Sequence, residues 1–388
     1  MFDAFVRHSL AVRPTYSWIV FADPDHPWRL DDPRVQVIRR FRSDKRTASR
    51  LFADHVLVPG TAKALGCDIL VTTGFVPIYH PLPIAMQMFS LQHADAANGV
   101  GGLRRLYRKW AAGRGFRLAN LVITNSQFAA SQIEAAHPEL ARRLLVSYEG
   151  LDHSVFHPRE TPGEAESLQG AFGIAPGYFL WVSNFYKYKQ ADLLLRGYAL
   201  LPAATRKKAP LVMVGGDWGA GAAAVRTVAA DLGIEADIRM LGWVDEKYLP
   251  ALYRQAAAFC LSSREETFGR SVAEAMACGT PCIANDIPIM REVTGGSALL
   301  VDCQDREAVC GAMHGVLEDR QLQLRLRDEG IEGSRRFSFE RLAEERLIGM
   351  ESMLAAYGNG RRTIGKRIKG DGECKSTVAP GQGEEGAR

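Results

Sequence analysis

Residues 262–286, SSREETFGRSVAEAMACGTPCIAND, bring two carboxylates, a glycine turn and a run of small residues into one short span. An apolar run ends at Ser263. Thr267-Phe268-Gly269 make a turn, and a small-residue helix follows until Gly279-Thr280-Pro281. A helix N-terminus presents unpaired amide N–H groups and a partial positive charge, which suits a diphosphate. Glu266 lies before this helix and Glu274 within it. A carboxylate can accept two hydrogen bonds from vicinal hydroxyls. Two carboxylates flanking an anion site therefore suit a sugar nucleotide, one on the ribose and one on the hexose. The same pair also fits a plainer description: a helix with an acid favoured by its dipole and a second Glu on its surface.

Such a span needs elements that bring a strand end to a helix start. Short apolar runs alternate with helical patterns along most of the 388 residues. Runs at 16–22, 35–41, 69–74, 86–92, 120–126 and 144–150 form a first series of expected strands. Runs at 178–184, 210–216, 237–243, 257–263, 281–286 and 298–303 form a second. Helical patterns fall at 189–201, 246–256, 269–278 and 305–331. Strand–helix alternation predicts α/β architecture with parallel sheets covered on both faces, and ligands beyond the carboxyl ends of strands. The Pro-, Gly- and Glu-rich stretch between the series divides the chain. The expected layout is an N-terminal domain over 1–155, a linker over 156–177 and a C-terminal domain over 178–336. A closing helix over 337–358, with Ser338 as N-cap, and a disordered tail over 359–388 complete it.

E-x7-E followed by A-M-A-x-G-x-P, here Glu266 to Pro281, resembles the signature of glycosyltransferase family 4, the retaining group 1 enzymes of GT-B fold. TNSQFAASQI (124–133), VSYEGLDHSVFHP (146–158), YFLWVSNFYKYKQADLLLRGYALL (178–201), LVMVGG (211–216), IRMLGWV (238–244) and RRFSFERLAEERL (335–347) are similar to other family segments, in the same order. The resemblance implies two Rossmann-like domains facing a cleft, the closing helix packing back toward the N-terminal domain. It implies that Glu274 holds the ribose and Glu266 contacts the donor sugar. Amides of Phe268, Gly269 and Arg270 would face sugar and phosphates, and Lys189 would neutralise the diphosphate. The loop Gly242-Trp243-Val244 would lie near the base, and His93 near the reacting sugar and acceptor. The implied activity is transfer of a mannose- or glucose-type hexose from a nucleoside-diphosphate sugar to a glycan or lipid-linked acceptor, without metal. A non-catalytic sugar-nucleotide-binding protein, or an inactive truncated copy, is the alternative.

Three departures accompany the resemblance. Asn184 stands where the family usually has arginine, with Lys187 as a nearby substitute. Thr267 stands in a turn that is commonly E-G-F-G, and Arg270-Ser271 replace a usual Leu-Pro. The family opens with a strand and a Gly-rich loop, whereas this chain opens on what reads as the following helix, so the first strand is expected to be missing.

Composition narrows the partners. The net charge of +4 is too small to argue for nucleic acid. Residues 1–150 nevertheless carry 19 Lys and Arg against 12 Asp and Glu, which fits a phosphorylated acceptor or an anionic membrane surface. Leu103, Leu106, Tyr107 and Trp110 are interleaved with arginines, as on a helix lying at a membrane surface or one packed on its own domain. The seven cysteines include no C-x-x-C, and several sit in apolar runs; with no membrane-length apolar run, the expected location is cytoplasmic, with peripheral contact at the inner membrane face as an added expectation. Asp23-Pro24-Asp25 after a strand is the metal-binding pattern of the other large glycosyltransferase fold, but its context here argues against that role.

Overall fold

The computed structural model describes residues 2–23, 28, 30–39, 47–89, 102–217 and 221–358. Its strands are β1 (Trp18–Phe21), β2 (Val35–Ile38), β3 (Leu70–Thr73), β4 (Ile84–Gln87), β5 (Leu121–Thr124), β6 (Leu144–Val146), β7 (Tyr178–Val182), β8 (Leu211–Val214), β9 (Ile238–Gly242), β10 (Ala256–Leu261), β11 (Cys282–Asn285) and β12 (Leu299–Val301). All pairings among them are parallel. β4, β5 and β8 are buried along their whole length. That burial explains why they read as unbroken apolar runs and not as alternating ones. β4 starts at Ile84, two residues ahead of the expected run, where it pairs with Leu70 of β3, and the Asn120 side chain accepts the Ile84 N–H at 3.0 Å.

In the N-terminal half β1 pairs with β2, and a separate sheet runs β3-β4-β5-β6. In the C-terminal half six strands run β9-β8-β7-β10-β11-β12. This order reverses direction between β7 and β10. An open parallel sheet forms its ligand crevice outside the carboxyl ends of the two strands at such a reversal. The loops after β7 and β10 are therefore the ones whose side chains matter.

The expected helix over 305–331 is two helices, Arg306–Glu318 and Arg320–Ser334. Asp319 is extended between them, and its carboxylate accepts the Gln321 and Leu322 N–H groups. An acid able to cap the second helix ends the first despite continuous periodicity. Within 156–177 the structure has a helix, Glu164–Phe172, between Gly163 and Gly173. Leu168 sits in the C-terminal core and Glu164 forms a salt bridge with Arg254, so this segment is docked.

The last helix, Phe339–Gly358, begins after Ser338, whose Oγ accepts the Arg341 N–H at 3.2 Å. Leu342, Leu347, Met350 and Met353 pack with Phe5 and Leu10 of the first helix and with Leu121 and Ile123 of β5. The C-terminal helix thus lies on the N-terminal half, as the motifs imply. The halves also meet where the Glu292 carboxylate accepts the N–H groups of Gln127 (2.6 Å) and Phe128 (2.8 Å), at the start of the helix Gln127–Ala136.

Among the described residues no helix is long and apolar enough to cross a membrane. No group of three His, Cys, Asp or Glu there could hold a metal ion; Asp25 lies outside the described residues. Cys260, Cys278, Cys282 and Cys303 are free and buried, and burial pushes their thiols up, away from the reactive thiolate.

Candidate functional site

The loop after β7 turns through a short 3-10 segment, Lys187–Lys189, into the helix Ala191–Tyr198. It docks on the end of β10. Ser262 Oγ donates to the Lys189 carbonyl at 2.9 Å, and the Arg264 N–H donates to the Tyr188 carbonyl at 2.9 Å. These contacts hold Lys189 over the turn after β10, where its Nζ lies 2.5 Å from Glu266 Oε1. Both side chains are nearly shielded from solvent, at 13% and 10% exposure.

Gly269 closes that turn with φ +87° and begins the helix Arg270–Ala277. A side chain at this position would be strained by the backbone and would meet the Met290 methyl at 2.4 Å. The Phe268 ring is buried against Phe337, with centroids 5.0 Å apart, so only its backbone can face a ligand.

Glu274 lies one turn into the helix and is buried. Its Oε2 accepts from the Tyr253 hydroxyl at 3.0 Å, and its Oε1 accepts from Arg270 Nε at 2.9 Å. Burial pushes the Glu274 carboxyl above its ordinary range, opposed mainly by Arg270. Arg270 Nη1 also lies 3.9 Å from Glu149 Oε2. Glu149 follows β6 and accepts from Asn125 Nδ2 at 3.0 Å, after β5. The Arg346 guanidinium arrives from the last helix; burial lowers its pKa to about 10, with Glu149 opposing. Carboxyl ends of strands from both halves therefore meet around Arg270.

The structure thus brings together Lys189, Glu266, Gly269, Arg270 and Glu274. Asn184 is exposed in the same loop as Lys189. Gly242, at the end of β9, accepts the Gly215 N–H through its carbonyl at 2.8 Å. Trp243 is open to solvent at 73%, and the Val244 side chain is in the core. His93 lies outside the described residues. Glu149, Asn125, Tyr253 and Arg346 were not singled out by the sequence. Only Glu149 carried a signal, a carboxylate directly after a strand.

This arrangement can present carboxylates to hydroxyls and cations to phosphates at a helix N-terminus. Residues 170–333 match the family of glycosyl transferases group 1. That span, a little under half of the chain, is similar to the group 1 glycosyl transferases. The O-antigen chain mannosyltransferase B of Escherichia coli is 30% identical over 224 residues, covering 57% of this chain and 58% of that protein. The chain spans about half the length of the curated relatives it matches. Sucrose-phosphate synthase from Thermosynechococcus elongatus superposes with a TM-score of 0.72 at 21% identity, covering 90% of this chain and 92% of that one. Anabaena Alr3699/HepE, solved with UDP-glucose, gives 0.71 at 18% identity, covering 90% and 96%. At these identities the two structures show the shared GT-B fold.

Proposed function

We propose that this protein is a group 1 enzyme that transfers a mannose- or glucose-type hexose from a nucleoside-diphosphate sugar to a hydroxyl of a glycan or lipid-linked acceptor, with retention. The observation that carries this reading is the pairing of Lys189 with Glu266 and of Arg270 with Glu274 at one helix N-terminus beside the β7/β10 reversal. Glu274 would hold the ribose, and Glu266 would position the hexose. Lys189 would stabilise the leaving diphosphate as its bond to the sugar breaks. The positive charge comes from the protein, so the reading requires no metal. The mannosyltransferase relative and the fold neighbour bound to UDP-glucose support a nucleotide-sugar donor. Asn184, at a position where the family carries arginine, favours a second reading: nucleotide binding without turnover.

Calorimetric titration with UDP, GDP and ADP tests the site. One of them is expected to bind, and Glu274→Ala should weaken it about ten-fold or more, on the order of 1.4 kcal/mol. Ribose hydroxyls donate to the ionised carboxylate. Because burial raises the Glu274 pKa, affinity should fall as pH drops through a range above the ordinary 4.5, and the Ala variant should lack this step. For folding the sign is opposite: a raised carboxyl pKa favours the folded state below it, and that contribution is lost as pH rises through it. A nucleotide that binds wild type and Glu274→Ala equally would exclude Glu274 from the site.

The acceptor side is read from the helix Gly102–Leu118. Tyr107 and Arg114 are spent on their own domain. The Tyr107 hydroxyl lies 2.8 Å from His55 Nε2, and Arg114 donates to the Val76 carbonyl at 2.8 Å. Leu106 (65%) and Trp110 (46%) are exposed beside Lys109, which supports peripheral contact with an anionic membrane. Co-sedimentation with anionic vesicles should fall by at least about half in a Leu106→Ser/Trp110→Ser variant. Unchanged sedimentation would assign these side chains no membrane role.

A further inference from the structure

We propose that the Arg270 guanidinium is a second cation for the donor diphosphate, held in place by Glu149 and Glu274. The inference rests on the donor-site reading above and deepens it. In the structure both sugar-binding carboxylates are already occupied by bases. Lys189 lies on Glu266 at 2.5 Å and Arg270 on Glu274 at 2.9 Å, one pair before and one within the helix that starts at Arg270. A nucleoside-diphosphate sugar brings the complementary set. Its hydroxyls can replace the bases on the two carboxylates, and its phosphates can receive the bases so released.

Lys189 supplies only one positive charge. Asn184, in the same loop, supplies none, whereas the family that this segment resembles usually has arginine there. Lys187 is an exposed cation of the same loop, and Arg270, where that family usually has leucine, adds a charge on the other side of the crevice. The Arg270 side chain is 34% exposed, whereas those of Glu274 and Glu149 are 9% and 11%. The guanidinium can therefore turn toward a ligand while the two carboxylates stay fixed. Glu149 is a positioning residue. Anchored by Asn125, it retains Arg270 at the crevice when Glu274 engages the ribose. Arg270 also shields Glu274 until then, since a buried carboxylate without a partner is costly.

The test compares wild type, Arg270→Leu and Arg270→Leu/Asn184→Arg. The probes are UDP, GDP and ADP by calorimetry, with uridine, guanosine and adenosine by saturation-transfer NMR. Arg270→Leu should weaken the preferred diphosphate about ten-fold, the scale of one charged hydrogen bond, and leave the matching nucleoside within about two-fold. Asn184→Arg in that background should recover most of the loss. Glu149→Gln should weaken the diphosphate in the wild-type background and have no effect once Arg270 is leucine. Nucleoside binding reports that each variant retains its fold. Three results overturn the inference: diphosphate affinity unchanged in Arg270→Leu, parallel loss of the nucleoside, or no recovery with Asn184→Arg. Wild type that binds none of the diphosphates would instead overturn the donor-site reading itself.

Discussion

Lys189→Ala is expected to lower donor turnover by about two to three orders of magnitude, the usual scale for removing one group that stabilises charge developing in a transition state. The reason lies in when the lysine acts. Before reaction the diphosphate shares its charge with the bond to the sugar. As that bond breaks, a full additional charge appears on the leaving oxygen. A cation fixed beside it is worth more at that moment than in the ground state, so the loss should appear mainly in kcat and not in KM. The fixing is visible in the backbone: the Lys189 carbonyl accepts from Ser262 Oγ, and the neighbouring Tyr188 carbonyl accepts from the Arg264 N–H.

Deleting the lysine alone also leaves the shielded Glu266 carboxylate without its partner, which costs stability as well as rate. Lys189→Met/Glu266→Gln removes both charges and separates the two effects. Its melting midpoint should lie above that of Lys189→Ala, while its kcat stays low. Lys189→Arg keeps the charge and should retain more activity than either. Release of nucleoside diphosphate from the donor, followed with a coupled assay, gives kcat and KM together. Turnover by Lys189→Ala within about three-fold of wild type would remove Lys189 from the catalytic step.

The sequence made this part of the site legible because the carboxylates, the turn and the helix are contiguous. Glu266, Gly269 and Glu274 fall within nine residues, and Lys189 follows a recognisable strand. Every described strand overlaps an apolar run, most plainly the strands buried on both faces, such as β4, β5 and β8. Residues that reach the site from elsewhere in the chain were not legible. Tyr253 lies on another helix, Asn125 follows a strand of the other half, and Arg346 comes from the last helix. None has a local pattern that distinguishes it from an ordinary polar residue, and only the chain's return places Arg346 beside Ser147 at 3.4 Å. The helix Glu164–Phe172 was missed for a different reason. Its flanking glycines read as loop, yet both are its caps in left-handed conformation. The break at Asp319 was missed because periodicity runs through it, and capping by one carboxylate outweighs the pattern.

Gly215→Ala is expected to lower stability by about 2–4 kcal/mol and to weaken nucleotide binding with it. Gly215 follows β8 with φ +154°, and a Cβ there would lie 1.7 Å from the Ser183 carbonyl oxygen and 3.3 Å from the Asn184 nitrogen. These are backbone atoms and cannot rotate aside as a side chain could. The two loops are also joined, since Ser183 N donates to the Val214 carbonyl at 3.0 Å and Phe185 N to the Gly216 carbonyl at 3.3 Å. A methyl group must therefore push the β7 loop off β8, and that loop carries Asn184, Lys187 and Lys189. Gly311→Ala is the matched control. Gly311 lies in the helix Arg306–Glu318 with nothing within 4 Å of an added Cβ, so alanine there should raise stability by about 0.5–1 kcal/mol. Thermal midpoints of the two variants should move in opposite directions, and only Gly215→Ala should lose affinity for the diphosphate. If Gly215→Ala kept both its midpoint and its affinity, the close approach of the loops would not fix Lys189. Its position would then have to come from the Ser262 side chain and the Arg264 backbone N–H, and Ser262 would become the residue to change next.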